Sequence, residues 1–248
     1  METDSSSLGV RAIKLLLSIK RLSFRVNDAN SAEADRALGA KRRNILRQQQ
    51  HICQGCGYTS KPSDDKLRSH LDVHHLDDDH HNNEDANLCV ICHMCHPYQH
   101  VGEISHRSDS MAQTMGAKTA ITAVPEIAPS DLNLLQRAIG VALLDPAEAE
   151  IAKGIYDALT KRSKPVERDF GSFKAADFAA AFAELFKRTP QDYDHREAYI
   201  SDLRLRFSHD LLRQFGAEFV IDNKSVPISC WGEIHKNRKL TIREQKNV

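Results

Sequence analysis

Apolar positions change period several times along the chain. LSFRV (Leu22–Val26) alternates and predicts a strand before the turn-prone NDAN, while the wider segment 10–28 fits helix and strand equally. Residues 32–49 are rich in Ala, Arg and Gln, with Ser31 placed as a cap, and predict a helix that Gly39 weakens. HLDVHHL (His70–Leu76) alternates and predicts a strand. DDDHHNNED (Asp77–Asp85) predicts a polar loop, and ANLCVICHMCH (Ala86–His96) predicts the start of a helix. On that reading Asn87 opens the helix and His96 follows about two and a half turns later.

The second half has a mostly helical period. SHRSDSMAQTMGAK reads as a linker or loop, and TAITAV (Thr119–Val124), closed by Pro125, as a strand. Ser130 is placed to cap a helix that buries Leu132, Leu135, Ile139 and Leu143. Asp145, Pro146 and Glu148 form a start signal for a helix with Ile151, Ile155 and Leu159 on one face. Phe178, Phe182 and Phe186 repeat that spacing. Thr189–Pro190 predicts one more helix, with Ile200, Leu203, Phe207 and Leu211 inside and Gly216 as its stop signal. AEFVIDNKSVPISCW (Ala217–Trp231) reads as a short strand pair, and the last residues as solvated. The Phe and Leu stripes read as core. The chain shows no internal repeat and no glycine-rich phosphate loop.

Composition bounds what such a chain does. Its 248 residues are 41% hydrophobic, enough for a sizeable core in one large or two modest domains. The 34 Lys and Arg equal the 34 Asp and Glu, which argues against a surface coated in positive charge for tight, non-specific DNA binding. The first apolar run is short and broken by Lys14, Lys20 and Arg21, with Glu2 and Asp4 ahead of it, so no export signal is expected. No segment reaches the roughly 18 to 20 apolar residues of a membrane span. The expectation is a cytoplasmic protein.

The cysteines and histidines add chemistry. Five of the six cysteines fall between Cys53 and Cys95, and ten of the thirteen histidines between His51 and His106. CQGC and CHMC place Cys53, Cys56, Cys92 and Cys95 as two knuckles able to wrap one Zn²⁺ as a tetrahedral thiolate set. Cys89 is the spare, expected to face the core, and Cys230 reads as a lone buried residue. His80 and His81, beside three Asp, read as a solvated loop. KRRNILR (Lys41–Arg47) is the clearest local basic patch and reads as a solvated helix face or a nucleic-acid contact.

CQGC…LDVHH…NLCVICHMCH resembles the HNH endonuclease motif, a ββα-metal fold held by four zinc thiolates, over about a fifth of the chain. The resemblance implies His75 as the general base, His74 and His96 as ligands of a second, catalytic divalent metal (Mg²⁺ or Mn²⁺), and Asn87 as the brace of the base's strand. The metal would stabilise charge developing on the phosphate.

A longer stretch is similar to the IcmJ/DotN family of type IVB secretion and conjugation systems. The similarity runs through LSFRV, CQGCGY, the NL…C…C segment, HVGE and VPEIAPSDLNLL, over roughly residues 15–220. It implies an HNH-like zinc core used as a scaffold in a coupling complex. There the protein is bound to the coupling ATPase and other coupling-complex subunits at the cytoplasmic face of the inner membrane, and touches membrane only through partners. Secretion members of that family generally lose the catalytic histidines; His74, His75, Asn87 and His96 are all present here.

The fold expected is therefore α+β, a small HNH-like ββα zinc-bound core with a mainly α-helical C-terminal half. Its divisions are an N-terminal strand or extension (1–30), a zinc-binding domain (31–104), a linker or loop (105–118), a mainly helical domain (119–222) and a tail (223–248). The function expected is a zinc-stabilised structural subunit of the coupling complex. The alternative is an active HNH endonuclease with nucleic acid as its partner. A third reading, a zinc-stabilised module that binds nucleic acid without cutting it, would show salt-dependent binding.

Overall fold

The computed structural model describes residues 13–19, 29–60, 70–101 and 118–222, with backbone alone for 29–36, Ala40 and Asp222. The segment Leu22–Val26, the stretch 102–117, the tail from 223 onward and Cys230 lie outside the described residues. Those that are described form an α+β arrangement of two small antiparallel sheets and a mostly helical second half.

The ambiguous N-terminal run resolves, over 13–19, into an extended segment. Leu15, Leu17 and Ile19 point inward at period two, and the backbone bonds to Gln54, Tyr98 and Val101 across the core. Helix α1 (Ala29–Gln48) starts before Ser31, which therefore sits in its first turn rather than at its cap. It buries Ile45 and Leu46. Lys41 and Arg42 turn inward too: Lys41 bonds Asn83 O and pairs with Asp85, and Arg42 bonds Leu71 O. Half of the basic patch thus holds the neighbouring hairpin.

That hairpin corrects one expectation. β1 (Leu71–His75) forms as expected, but Leu88–Cys92 is a strand, β2, antiparallel to it, with Leu71 opposite Cys92, His74 opposite Cys89 and His75 opposite Leu88. Leu-Cys-Val-Ile-Cys is a continuous apolar run, buried at every position, and such a run has no period to separate strand from helix. The tertiary partners decide it. Gln49 accepts from Val90 N (2.7 Å) and donates to Leu88 O (2.9 Å), so one side chain pairs the outer edge of β2. Helix α2 starts only at His96 and is four residues long (His96–Gln99). The order ββα stands, with Asn87 in a single 3-10 turn before β2.

In the second half, β3 (Thr119–Ala123) is the expected strand. Helix α3 (Pro129–Ala142) buries Leu132 and Ile139, and Ser130 lies inside its first turn. Asp145 does not cap helix α4 (Ala149–Lys161): its carboxylate accepts from Ala147 N at 2.9 Å and closes a turn, and the helix starts later, behind Glu148. Ile151 is half exposed; Ala152 and Leu159 carry the buried face. Helices α5 (Ser163–Phe170) and α6 (Ala175–Arg188) follow, the latter burying Phe178 and Phe182.

The long helix expected after Pro190 is not one element. Two short helices, α7 (Pro190–Asp194) and α8 (Glu197–Ile200), precede a strand, β4 (Leu203–Phe207), which pairs with β3. LRLRF alternates at period two, and that period beats the coincidental i, i+4 match of Leu203, Phe207 and Leu211. Gly216 is not a stop either. Helix α9 (His209–Asp222) runs through it, so residues 217–222 are helical rather than strand. The glycine serves a crossing: a Cβ at Gly216 would lie 2.2 Å from Gly140 C, and one at Gly140 would lie 1.9 Å from Leu212 O. Helices α3 and α9 touch backbone to backbone there. One hydrophobic core runs from the N-terminal segment through β2 and α3 to α9.

Candidate metal centres

The first centre forms where two turns meet. Cys53 N donates to Tyr58 O (2.8 Å) and Gly57 N to Cys53 O (2.9 Å), closing the turn that carries Cys53 and Cys56. Gly57 takes φ +75 there, which glycine tolerates without strain. The second turn follows β2, where Cys95 N donates to Cys92 O (3.0 Å). All four sulfurs lie within 4.8 Å of one another. Cys56 Sγ and Cys92 Sγ are 3.7 Å apart. A tetrahedron with metal–sulfur bonds of about 2.3 Å has edges of about 3.8 Å, whereas a disulfide closes to about 2.05 Å. The set therefore fits a four-thiolate metal. Backbone amides already point at it: Cys92 N and Gly55 N donate to Cys53 Sγ at 3.2 and 3.4 Å.

Helix α3 supplies the outer contacts. Arg137 Nη2 donates to Cys92 Sγ (3.4 Å) and its guanidinium lies 3.8 Å from the Tyr58 ring centroid. One turn earlier Asn133 Nδ2 donates to Cys95 Sγ (3.3 Å) and Met94 O (3.2 Å). Burial pushes the Cys92 thiol up, but hydrogen bonds from its three neighbours and the Arg137 charge outweigh this and hold it well below its ordinary value. Cys56 is pushed up chiefly by its bonds to Cys53 and Cys92, against an opposing bond to Cys95, and Cys95 by its bonds to Cys53, Cys56 and Cys92. A metal ion would displace those protons, so its binding strengthens as pH rises. Cys89, opposite His74 on the hairpin, is buried and stands outside this set.

The second centre is a set of three imidazoles. His74, His96 and His100 each offer a ring nitrogen, all within 4.8 Å of one another. His74 Nδ1 and His100 Nε2 are 3.1 Å apart. The strand brings in a carboxylate from the same face: Asp72 Oδ2 is 3.3 Å from His96 Nδ1, leaving Nε2 for a cation. Burial raises Asp72, but the hydrogen bond and charge of His96, then His93 and Arg42, hold it down at about 2. Asp78 Oδ1 stands 3.9 Å from His100 Nδ1. Carboxylates behind ligating imidazoles orient the ring and raise its basicity.

His75 is not among these three. It faces the other side of β1, where its Nε2 donates to Asn83 Oδ1 (3.1 Å) and its ring stacks on His80 at 4.7 Å. Asn87 is bonded into the loop that follows β1. Its Nδ2 donates to Asp77 Oδ1 and to Asn82 O, both at 2.8 Å, and its Oδ1 accepts from Asp77 N (3.1 Å). The loop Asp77–Asp85 is accordingly folded around Asn87 rather than simply solvated, with His80 packed in it and His81 exposed.

Sequence reasoning paired His74 with His96 and missed His100. The signal was there, since His96 and His100 are four apart, one helical turn. Asn133, Arg137 and Asp72 carried no such signal. No described helix is long and apolar enough to cross a membrane. The chain matches no protein-family model and no curated protein at a significant level.

Proposed function

We propose that the chain is a zinc-stabilised structural subunit of a type IVB secretion or conjugative coupling complex, bound to its coupling ATPase at the cytoplasmic face of the inner membrane. The partner assignment rests on the sequence resemblance to the IcmJ/DotN family. The observation that carries the structural role is the tie of Asn133 and Arg137 to Cys95 and Cys92, which puts the four-cysteine set at the joint between the hairpin and α3. Zinc on four thiolates contributes folding free energy that a two-stranded hairpin lacks alone. In this reading zinc fixes the angle of the helical half, and that half presents the partner surface. Two further features support it. His75 is buried and already engaged by Asn83 and His80, and Lys41 and Arg42 are spent on the hairpin rather than on a phosphate-facing surface. The test is co-purification of the chain with the C-terminal part of the coupling ATPase. Wild type should be retained, and Cys95→Ser should lose zinc and retention together. Retention by a zinc-free variant would refute the role of the metal.

A second reading is favoured by His74, His96 and His100. A divalent cation there would polarise a phosphodiester, and His75 would have to leave Asn83 and turn to that side to activate water. Nicking of supercoiled plasmid with Mg²⁺ or Mn²⁺, lost in His75→Ala, would establish it.

A further inference from the structure

Three arginines are buried among the described residues: Arg137, Arg204 and Arg206, at 2%, 6% and 9% exposure. A guanidinium does not give up its charge, so each needs something to balance it. Arg137 faces the four sulfurs. Arg204 donates from Nε to Ile127 O (2.9 Å) and from Nη1 to Ser201 O and Leu203 O, so three carbonyl dipoles hold it. Arg206 has no such set. Its Nη1 donates to Tyr156 Oη on α4, a neutral phenol. Among the described residues its Nε is buried without a partner, Nη2 donates to nothing, and no carboxylate pairs with it.

The side chains around it are also incompletely used. Tyr156 lies against His209, the first residue of α9, with ring centroids 4.0 Å apart, and the Arg206 guanidinium carbon is 5.1 Å from the Tyr156 centroid. His209 Nε2 is buried and has no partner among the described residues either. The Tyr156 oxygen accepts from Arg206 and keeps its own O–H to donate. Asp210, in the first turn of α9, is turned to Lys118 at 3.2 Å. Strand β4 runs into α9 through Ser208, so Arg206 and His209 flank a strand-to-helix turn, where the first amides of the helix favour negative charge. Packing alone would be served at lower cost by an apolar side chain of similar volume, with no charge to bury.

The unused groups define the ligand. With Nη1 on the tyrosine, the Nε–Nη2 edge of Arg206 is the one without a partner. That edge carries two parallel N–H groups at the spacing of carboxylate oxygens. One uncompensated positive charge is matched by one negative charge, and a dianion would leave an excess close to Asp210. Tyr156 and His209 are half-buried, so the cluster lies at the margin of the core. We propose that Arg206, His209 and Tyr156 form a seat for one carboxylate group, borne by a small acid or by an Asp or Glu side chain of a docking chain. Nε and Nη2 take its two oxygens, and His209, in the tautomer with its proton on Nε2, adds a third donor. Neither metal centre takes part.

The test uses full-length protein with Zn²⁺ on the four cysteines and ¹⁵N in its arginines. The Nε–H resonance of Arg206 is the one lost in Arg206→Lys. Acetate is titrated in against chloride at constant ionic strength. Separate titrations use sulfate and N-acetylglutamic acid α-amide, whose only carboxylate is the side chain. Acetate should move the Arg206 resonance saturably, and sulfate should bind more weakly. His209→Ala and Tyr156→Phe should each weaken acetate by about threefold to tenfold, the worth of one hydrogen bond. In wild type acetate should also raise the melting temperature above that in chloride. Arg206→Lys, which keeps the charge but not the fork, should lose most of that rise. Should Arg206→Lys fail to fold, the resonance is identified by its proximity to the Tyr156 ring protons, and the His209→Ala titration decides. Movement with acetate alone assigns a small acid, and movement with the blocked glutamate as well assigns a docking side chain. An Arg206 resonance that no carboxylate moves overturns the seat, as does equal acetate affinity in wild type, His209→Ala and Tyr156→Phe. Tighter binding of sulfate than of acetate overturns the choice of a carboxylate.

Discussion

Replacing Arg137 by Met keeps much of the side-chain volume and removes the charge that faces the four sulfurs. Arg137 is buried, 2% exposed, with its Nη2 3.4 Å from Cys92 Sγ and its plane over Tyr58. A zinc ion with four thiolates carries a net charge of about −2, so with zinc bound the guanidinium would act as its buried counter-charge. Losing a charge-assisted hydrogen bond costs about 1.5–3 kcal/mol, which corresponds to a 10- to 100-fold loss of zinc affinity. That range agrees with the usual effect of removing a group behind a metal ligand. In the metal-free chain the same substitution should cost much less, because Cys56 and Cys95, whose thiols are pushed up, then keep their protons and leave Arg137 less charge to balance. The assay is chelator competition for zinc, run alongside thermal unfolding of the loaded and stripped protein. Zinc affinity within twofold of wild type, together with equal destabilisation of both forms, would show that Arg137 is only packing and would refute the counter-charge argument.

Other outcomes follow from the same geometry. Gly216→Ala forces a methyl into the α3–α9 crossing and should destabilise the fold by at least about 2 kcal/mol; an unchanged melting temperature would mean the crossing is looser than described. His100→Ala should lower the bound metal by one ion per chain while the four-cysteine zinc stays, read by elemental analysis. Asp72 has a folded-state pKa of about 2, below its ordinary 3.8. Its contribution to stability is therefore complete above the ordinary value and lost as pH falls through about 2. A carboxyl NMR titration of Asp72 with a midpoint near 3.8 would contradict the contact with His96.

Much of the site was legible because its spacing is local. Two C-x-x-C turns, each closed by its own backbone bonds, state the four-sulfur set without any knowledge of the fold. Strand β1 was legible for the same reason, whereas Asn87 ends a 3-10 turn before a strand and does not open the helix expected there. What the sequence hid was set by distant partners. The run Leu88–Cys92 becomes a strand because Gln49, some forty residues earlier, pairs its edge. LRLRF offers two periods, and only β3 alongside selects the right one. Gly216 looks like a helix end until Gly140 is placed against it. Asn133 and Arg137 lie on what reads as an ordinary amphipathic helix, and their partners are sulfurs about 40 residues away.

The most direct test of the central claim combines zinc content with a nicking assay on wild type and His75→Ala, using supercoiled plasmid with Mg²⁺ or Mn²⁺. The account expects one tightly held zinc per chain on the four cysteines and no relaxation by either protein. Relaxation by wild type that His75→Ala abolishes would contradict it and make the chain a working endonuclease.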